Sequence, residues 1–250
     1  MKKIVTGLLI LALLASSLAL FAGCGSAGSV KYADPDSYSV GSGSTTEEIT
    51  AVEIYWPCGS VNVSGALTVD VDVREDYYYK NDHALRYRVR EGVLQIYPAA
   101  SGVNDAHKVK KNLTVSLPLD IASSLERVEI KTIGDTPVTL KNVKPANLSV
   151  QTAAGNVDFQ GQLKRAEIVT ESGSFKAYSI GTESLRFTSK TGSAELALHL
   201  YGYVAVMENA KGSFESGYEC YQNGNIYTYG TQETTCIFST AGKVTLNDVS

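Results

Sequence analysis

The sequence predicts an all-β fold: a single-stranded parallel β-solenoid with coils of about 18–21 residues and an N-terminal portion that contains a hairpin. Three observations carry this expectation. Short runs alternate apolar and polar residues, a period of two that marks strands. One short unit recurs: apolar-x-apolar, a polar pair with Ser or Thr, a Gly, then x-apolar-x-apolar. The glycines of that unit, Gly134, Gly155, Gly173, Gly192 and Gly212, follow one another at intervals of 21, 18, 19 and 20 residues. One such coil cannot bury its apolar side alone, so several must stack. An antiparallel β-sandwich is the alternative arrangement of the same strands. The return of the whole unit, rather than of turns alone, favours the solenoid.

Three copies are clearest. They are Leu148, Val150, Gly155, Val157, Phe159, then Ala166, Ile168, Gly173, Phe175, Ala177, then Leu185, Phe187, Gly192, Ala194, Leu196. Val52, Ile54, Gly59, Val61 and Val63 fit the same spacing upstream, and Gly242 with Val244 and Leu246 fits its second half. At each corner the glycine is expected to supply a left-handed conformation that other residues adopt only at a cost. Gly134 fits less well, because Val128 and Ile130 sit one position closer to it. Near Gly212 both Val204/Val206 and Ala205/Met207 are apolar, so the register stays open.

Taken in order, residues 1–23 read as an export signal. Lys2 and Lys3 precede an apolar run from Ile4 to Phe21, and small residues with a Cys close it. The ending Leu20-Phe21-Ala22-Gly23-Cys24 resembles the lipobox of bacterial lipoproteins, with Phe21 where Leu is usual. The resemblance implies that Cys24 is the lipid anchor. An uncleaved transmembrane helix is the alternative for a run of this length. Residues 24–48, with GSAGS, DPDS and GSGSTTEE, have the composition of a flexible tether. Residues 49–250 form the domain. Within it, Thr68–Val73 and Leu113–Asp120 alternate as strands. Leu85–Arg90 and Val93–Pro98 form a hairpin about Glu91-Gly92. No terminal cap is readable after Leu246, so the last coil is expected to leave unpaired backbone unless the Tyr-rich stretch before it, or a partner, covers it.

Composition narrows the chemistry. The net charge of −4 does not point to nucleic acid, which usually calls for a basic patch. His83, His107 and His199 show no metal-ligand spacing. There is no G-x-S-x-G elbow and no G-x-x-x-x-G-K-[ST] loop. Lys190-Thr191-Gly192 matches the K-T-G of penicillin-interacting enzymes, but no Ser stands three residues before any Lys, so it reads as a coil corner. Asp70, Asp72, Glu75 and Asp76 could offer oxygens to Ca²⁺, or form an outward polar face ending in a turn. Outward acids such as Asp158, Glu171, Glu195 and Glu215 are too sparse to suggest a polysaccharide-cleaving pair. No catalytic residue, metal site or cofactor is therefore expected, and the chain is read as not an enzyme. Cys58, Cys220 and Cys236 are odd in number once Cys24 is set aside, and whether any two pair is open.

Tyrosine is the one excess, 15 in all. Tyr201, Tyr203, Tyr227 and Tyr229 stand at i and i+2 and are the candidate binding face, with core stacking as the alternative. The stretches LTVSLP, VEIKTIG, LSVQTAAGNV, AEIVTESGSF and LRFTSKTGSA resemble the bacterial putative-adhesin β-solenoid domain family, over roughly residues 49–250. That resemblance implies a repetitive fold, a lipoprotein setting frequent in Gram-positive bacteria, and no catalytic residues. The expected function is a surface-displayed binding or adhesion module on the outer face of the membrane. Its partners would be the membrane, through Cys24, and a glycan, cell-wall or protein ligand. The alternatives are an envelope-stress or assembly accessory acting through protein contacts and, further behind, a polysaccharide-active enzyme.

Overall fold

A computed structural model describes residues 30–57, 59–76, 81–199, 201–209 and 211–247. The expected export signal, Cys24, Cys58 and the end of the chain lie outside them. The described residues are almost all β, in two sheets whose strands pair mostly in parallel. None of their helices is long and apolar enough to cross a membrane.

The repeating element is a two-strand unit, one strand in each sheet. Three central units are β11 (Asn147–Gln151) with β12 (Val157–Gln162), β13 (Arg165–Val169) with β14 (Phe175–Ile180), and β15 (Ser184–Thr188) with β16 (Ala194–His199). Below them stand β9 (Arg127–Thr132) with β10 (Val138–Val143), then β3 (Ala51–Trp56) with β4 (Gly59–Ala66), then β7 (Val93–Tyr97) with β8 (Lys111–Pro118). Above them stand β21 (Thr234–Ser239) with β22 (Lys243–Asn247), then β17 (Gly202–Met207) with β18 (Ser213–Ser216). Each strand pairs in parallel with the one above it at matched register. Leu148 therefore lies over Val128, Ala166 over Leu148 and Leu185 over Ala166. In the facing sheet Val157, Phe175 and Ala194 stack in the same way.

Alternation puts these columns inside, where the sheets close on one core. Phe159, Phe175, Phe187 and Phe238 are fully buried in it. The apolar pairs on either side of each glycine thus form the two walls of one unit. Near Gly212 the inward residues are Ala205 and Met207, which align with Cys236 and Phe238.

The seven glycines do not share the expected left-handed geometry. Only Gly59 and Gly134 have positive φ. At Gly155, Gly173, Gly192, Gly212 and Gly242 the reason is a close approach between units. A Cβ on Gly155 would run into the carbonyl of Thr136. On Gly173 it would meet that of Gly155, on Gly192 that of Gly173, on Gly242 that of Gly192, and on Gly212 that of Thr240. At Gly173, Gly192 and Gly242 the Ser or Thr before the glycine ties the same corner. Thr170 Oγ1 accepts from the Gly173 amide at 2.9 Å and donates to Ala153 O, in the unit below, at 2.9 Å. Ser189 does likewise with Gly192 (2.8 Å) and Glu171 O (3.2 Å), and Thr240 with Gly242 (3.0 Å) and Gly192 O (2.5 Å). The Gly134 corner is one residue longer, with Thr136 at the level of Gly155, which explains the poor sequence fit.

The predicted hairpin is present: β6 (Arg86–Arg90) pairs antiparallel with β7 through Glu91 and Gly92, both at positive φ, the geometry of a type I′ turn. Residues 30–48 differ from the expected tether. Their strands β1 (Ser39–Val40) and β2 (Gly43–Thr45) pair with β6 and with β5 (Val71–Glu75). Tyr38 is buried and donates to Gln95 Oε1 at 3.0 Å, and Tyr32 stacks on Tyr97 at 4.3 Å. Two tyrosines outweigh a composition that otherwise cannot bury a core.

The last unit in sequence is not the end of the stack. β21 and β22 lie between β15/β16 and β17/β18, and the hairpin of β19 (Tyr221–Asn223) and β20 (Ile226–Gly230) extends the twelve-stranded sheet beyond β17.

If the close approach sets the spacing of units, Gly173→Ala should lower the unfolding free energy by about 1–3 kcal/mol or more in urea denaturation. Ala154→Ser, at an exposed position of the neighbouring corner, should stay within about 0.5 kcal/mol of the parent. Equal effects would refute the account.

Candidate functional site

The tyrosines singled out from sequence do not form an exposed face. Tyr203 is fully buried, and its hydroxyl lies 2.8 Å from Ser216 Oγ. Burial raises its phenol above the ordinary value. Tyr227 and Tyr229 pack against the core from β20, with Tyr227 4.3 Å from Phe214 and Tyr229 4.6 Å from Tyr218. Tyr218 donates to Leu198 O at 2.7 Å. These rings plug the open end of the apolar interior, which is where the missing cap is found. Tyr201 alone among the four stands well out, three-quarters exposed at a turn.

The acidic cluster near Glu75 does not converge on a shared cation position. Glu75 is buried and holds Lys111 Nζ at 2.5 Å, while its other oxygen accepts from the Leu85 amide at 2.8 Å. The Lys111 ammonium also donates to His83 O and Pro98 O. Burial pulls the Lys111 pKa down, and Glu75 opposes that pull. Asp76 instead holds Asn112, and Asp72 faces Arg74 at 3.4 Å. Among the described residues no group of three metal-ligating side chains comes together. The outward acids are likewise spread over ion pairs between neighbouring units: Glu195 with Lys176, Glu171 with Lys190 and Glu215 with Lys243.

The structure instead presents the outer face of the ten-stranded sheet. Matched register sets its side chains in rows that cross the strands. One row runs Thr114, Asn62, Thr139, Asp158, Lys176, Glu195 and Thr245. The next runs Ser116, Ser64, Lys141, Gln160, Tyr178, Ala197 and Asn247. At one strand spacing per residue, seven residues span about 29 Å. Tyr178 is half exposed in the middle of the sheet, with Gln160 on one flank and the small Ala197 on the other. An aromatic ring with a polar tip, lying among hydroxyls, amides and alternating charges, offers both a stacking surface and hydrogen bonds. Sequence reasoning missed Tyr178 because it stands alone, without the i, i+2 pairing that drew notice elsewhere. The signal was available: it falls at an outward position of the Gly173 unit.

No protein-family model matches this chain, and no curated protein does. It is similar in structure to a putative cell adhesion protein from Clostridium sporogenes, at 15% identity and a TM-score of 0.45, covering 84% of this chain and 100% of the other. A putative adhesin from Bacteroides fragilis matches at 15% identity and a TM-score of 0.42, over 84% and 97% of the two chains. A putative lipid binding protein from Parabacteroides distasonis matches at 11% identity and a TM-score of 0.34, over 84% and 97%. These values transfer no ligand and no site residue.

The two groups of tyrosines should separate in denaturation experiments. Tyr203→Ala should cost about 3–5 kcal/mol, as for other large buried rings. Tyr178→Ala should stay within about 0.5 kcal/mol of the parent. Cys236, on β21, gives an independent check on the unit enclosed between β15/β16 and β17/β18. Cys220 and Cys236 are both free, and burial pushes the Cys236 thiol up to about 12. With Cys24, Cys58 and Cys220 replaced by Ser, Cys236 should react with a thiol reagent at pH 8 roughly a thousandfold more slowly than an ordinary exposed cysteine. A rate near that of a small-molecule thiol would show that this unit is open.

Proposed function

We propose that this protein is a non-enzymatic binding module of the bacterial envelope, displayed outside the membrane by a lipid at Cys24. In this reading the two-strand units are coils of a single-stranded parallel β-solenoid, and the outer face of the ten-stranded sheet reads a polymeric glycan or cell-wall ligand. Tyr178 carries the proposal: a half-exposed ring on an inner strand of a sheet face whose outward side chains recur at one strand spacing. What repeats along this face is the spacing of its mostly polar side chains, one per strand, which suits an extended ligand that can make contacts at regular intervals. The adhesin-like structural neighbours are in keeping with a binding role and add nothing about its ligand.

A second reading, an accessory acting through protein contacts, draws on β18. Among the described residues it ends the ten-stranded sheet and pairs on one side only, with β22. In this reading an added strand would pair with its other edge.

The test is a titration of the protein against arrayed glycans and cell-wall fragments. A saturable signal should fall roughly tenfold with Tyr178→Ala, a loss of about 1.4 kcal/mol, with unfolding unchanged. Unaltered binding by that variant, or no saturable signal on any polymer, would overturn this reading and move attention to protein partners of β18.

A further inference from the structure

The order of units at the far end of the stack differs from their order in the chain. β17/β18 is made before β21/β22, yet β21/β22 lies inside it, against β15/β16. Two features make this arrangement unusual. The first is that β17/β18 is itself congruent with β15/β16. Leu185 and Ala205 occupy one inward column and are twenty residues apart, and Ala194 and Phe214 occupy the facing column at the same interval. A unit offset equally in both sheets could stack directly on its predecessor with no change of register. The inserted unit is the one out of step: from Phe238 to Val244 is six residues, where from Phe187 to Ala194 and from Met207 to Phe214 is seven.

The second is the link. β20 and β21 flank β17 on opposite sides, so residues 231–233 must cross the start of β17. They do so against Gly202, where a Cβ would strike the backbone nitrogens of Thr231 and Gln232. Gly230 and Gln232 both take positive φ there, a strained choice for Gln.

We propose that β21/β22 is an exchangeable unit: the slot between β15/β16 and β17/β18 also accepts residues 234–247 of a second copy of this chain, giving a reciprocally exchanged dimer. The partner's chemistry is fixed by the slot itself. Thr234 donates to Thr182 O at 2.7 Å and Thr240 to Gly192 O at 2.5 Å, and Cys236, Phe238, Val244 and Leu246 fill the interior, whichever chain supplies them. Opening the link relieves the crossing over Gly202, while the contacts inside the slot are the same in both forms. Crossing links that are strained or too short favour such exchange.

The test shortens the link in the full chain. Crossing β17 spans two strand spacings, about 9.6 Å. Deleting Gln232 and Glu233 leaves two Cα–Cα steps, at most about 7.6 Å, so the unit cannot reach its own slot. Sedimentation velocity should then give a species of twice the monomer mass, and the dimer should be lost when Phe238→Asp and Leu246→Asp are added. A folded monomer would overturn the proposal. Should the deletion variant fail to fold, a second measurement decides. The full-length chain carrying Phe238→Asp and Leu246→Asp offers an empty slot to a fluorescent peptide of residues 232–247. A saturable rise in anisotropy, at least tenfold stronger than with a peptide bearing the same two aspartates, supports exchange. No rise, or an acceptor that has lost its β circular dichroism, overturns it.

Discussion

The structure depends on how closely successive units approach at one corner. At Gly155, Gly173, Gly192 and Gly242 the carbonyl of the unit below occupies the space a side chain would need. That contact fixes the rise from one unit to the next at a single strand spacing. The hydroxyls of Thr170, Ser189 and Thr240 then lock it, each satisfying an amide of its own corner and a carbonyl of the neighbour. Buried backbone groups without partners are costly, so a corner that bent away from its neighbour would lose the hydroxyl's bond to the neighbouring carbonyl as well as packing. The columns of apolar residues can stack at matched register only because this corner holds them level. Where the corner is a residue longer, at Gly134, the arrangement is weaker: Thr132 and Thr136 have buried hydroxyls with no hydrogen-bond partner.

Much of this was legible in the sequence, though not always for the right reason. The period near 20 located the units, and the apolar pairs about each glycine named the core walls. The hairpin at Glu91-Gly92 was legible because a tight turn is a local affair. The glycines were correctly placed but assigned to a left-handed corner, whereas most of them answer to a carbonyl about twenty residues away. A single sequence shows that a glycine is needed, not whether φ or a neighbour demands it. Residues 30–48 differ from the tether their composition predicts for a related reason. Their composition is that of a linker, and the groups that hold Tyr32 and Tyr38, namely Tyr97, Gln95 and Arg88, lie some fifty to sixty-five residues further on. The tyrosines near the end are open to both readings, binding face and core stacking, because i, i+2 spacing identifies a strand face without saying which side faces the core.

The order of stacking was the least legible feature, and both ends share it. At the start, β3/β4 lies between β7/β8, made after it, and β9/β10. The short helix Leu119–Ser124 connects β8 to β9 past the intervening unit, and Lys144 and Ala146 donate to Ala122 O and Leu125 O at this crossing. At the far end β21/β22 is placed inside β17/β18. Periodicity specifies which residues belong to one unit; it does not specify which unit is its neighbour, because every unit presents nearly the same walls. Antiparallel strands β5 and β6 at one end and β20 at the other lie next to the outermost units. Folding the chain back on itself therefore does two things at once: it supplies antiparallel strands to cover an end, and it brings a later unit into the stack.

The same regularity bears on where a ligand would sit. On the twelve-stranded sheet the outer face is already occupied by its own contacts. Tyr38 lies under the Arg88 guanidinium at 4.3 Å, Gln95 joins Glu53 at 2.9 Å, and Arg127 joins Glu53 and Glu129 at 2.6 and 3.1 Å. Further along, Arg165 meets Glu183 and Arg186 meets Glu208. A ligand there would have to displace or desolvate charges that satisfy one another, which costs more than it returns unless each is replaced. The ten-stranded sheet has the Lys176–Glu195 pair in one row, but beside it Gln160, Tyr178, Ala197 and Asn247 present amides, a hydroxyl and an aromatic face. These groups can exchange water for ligand at little cost in charge. The two faces of one architecture thus differ in what they can give up, and that difference, rather than the number of tyrosines, is why the proposed binding is assigned to the sheet that carries Tyr178.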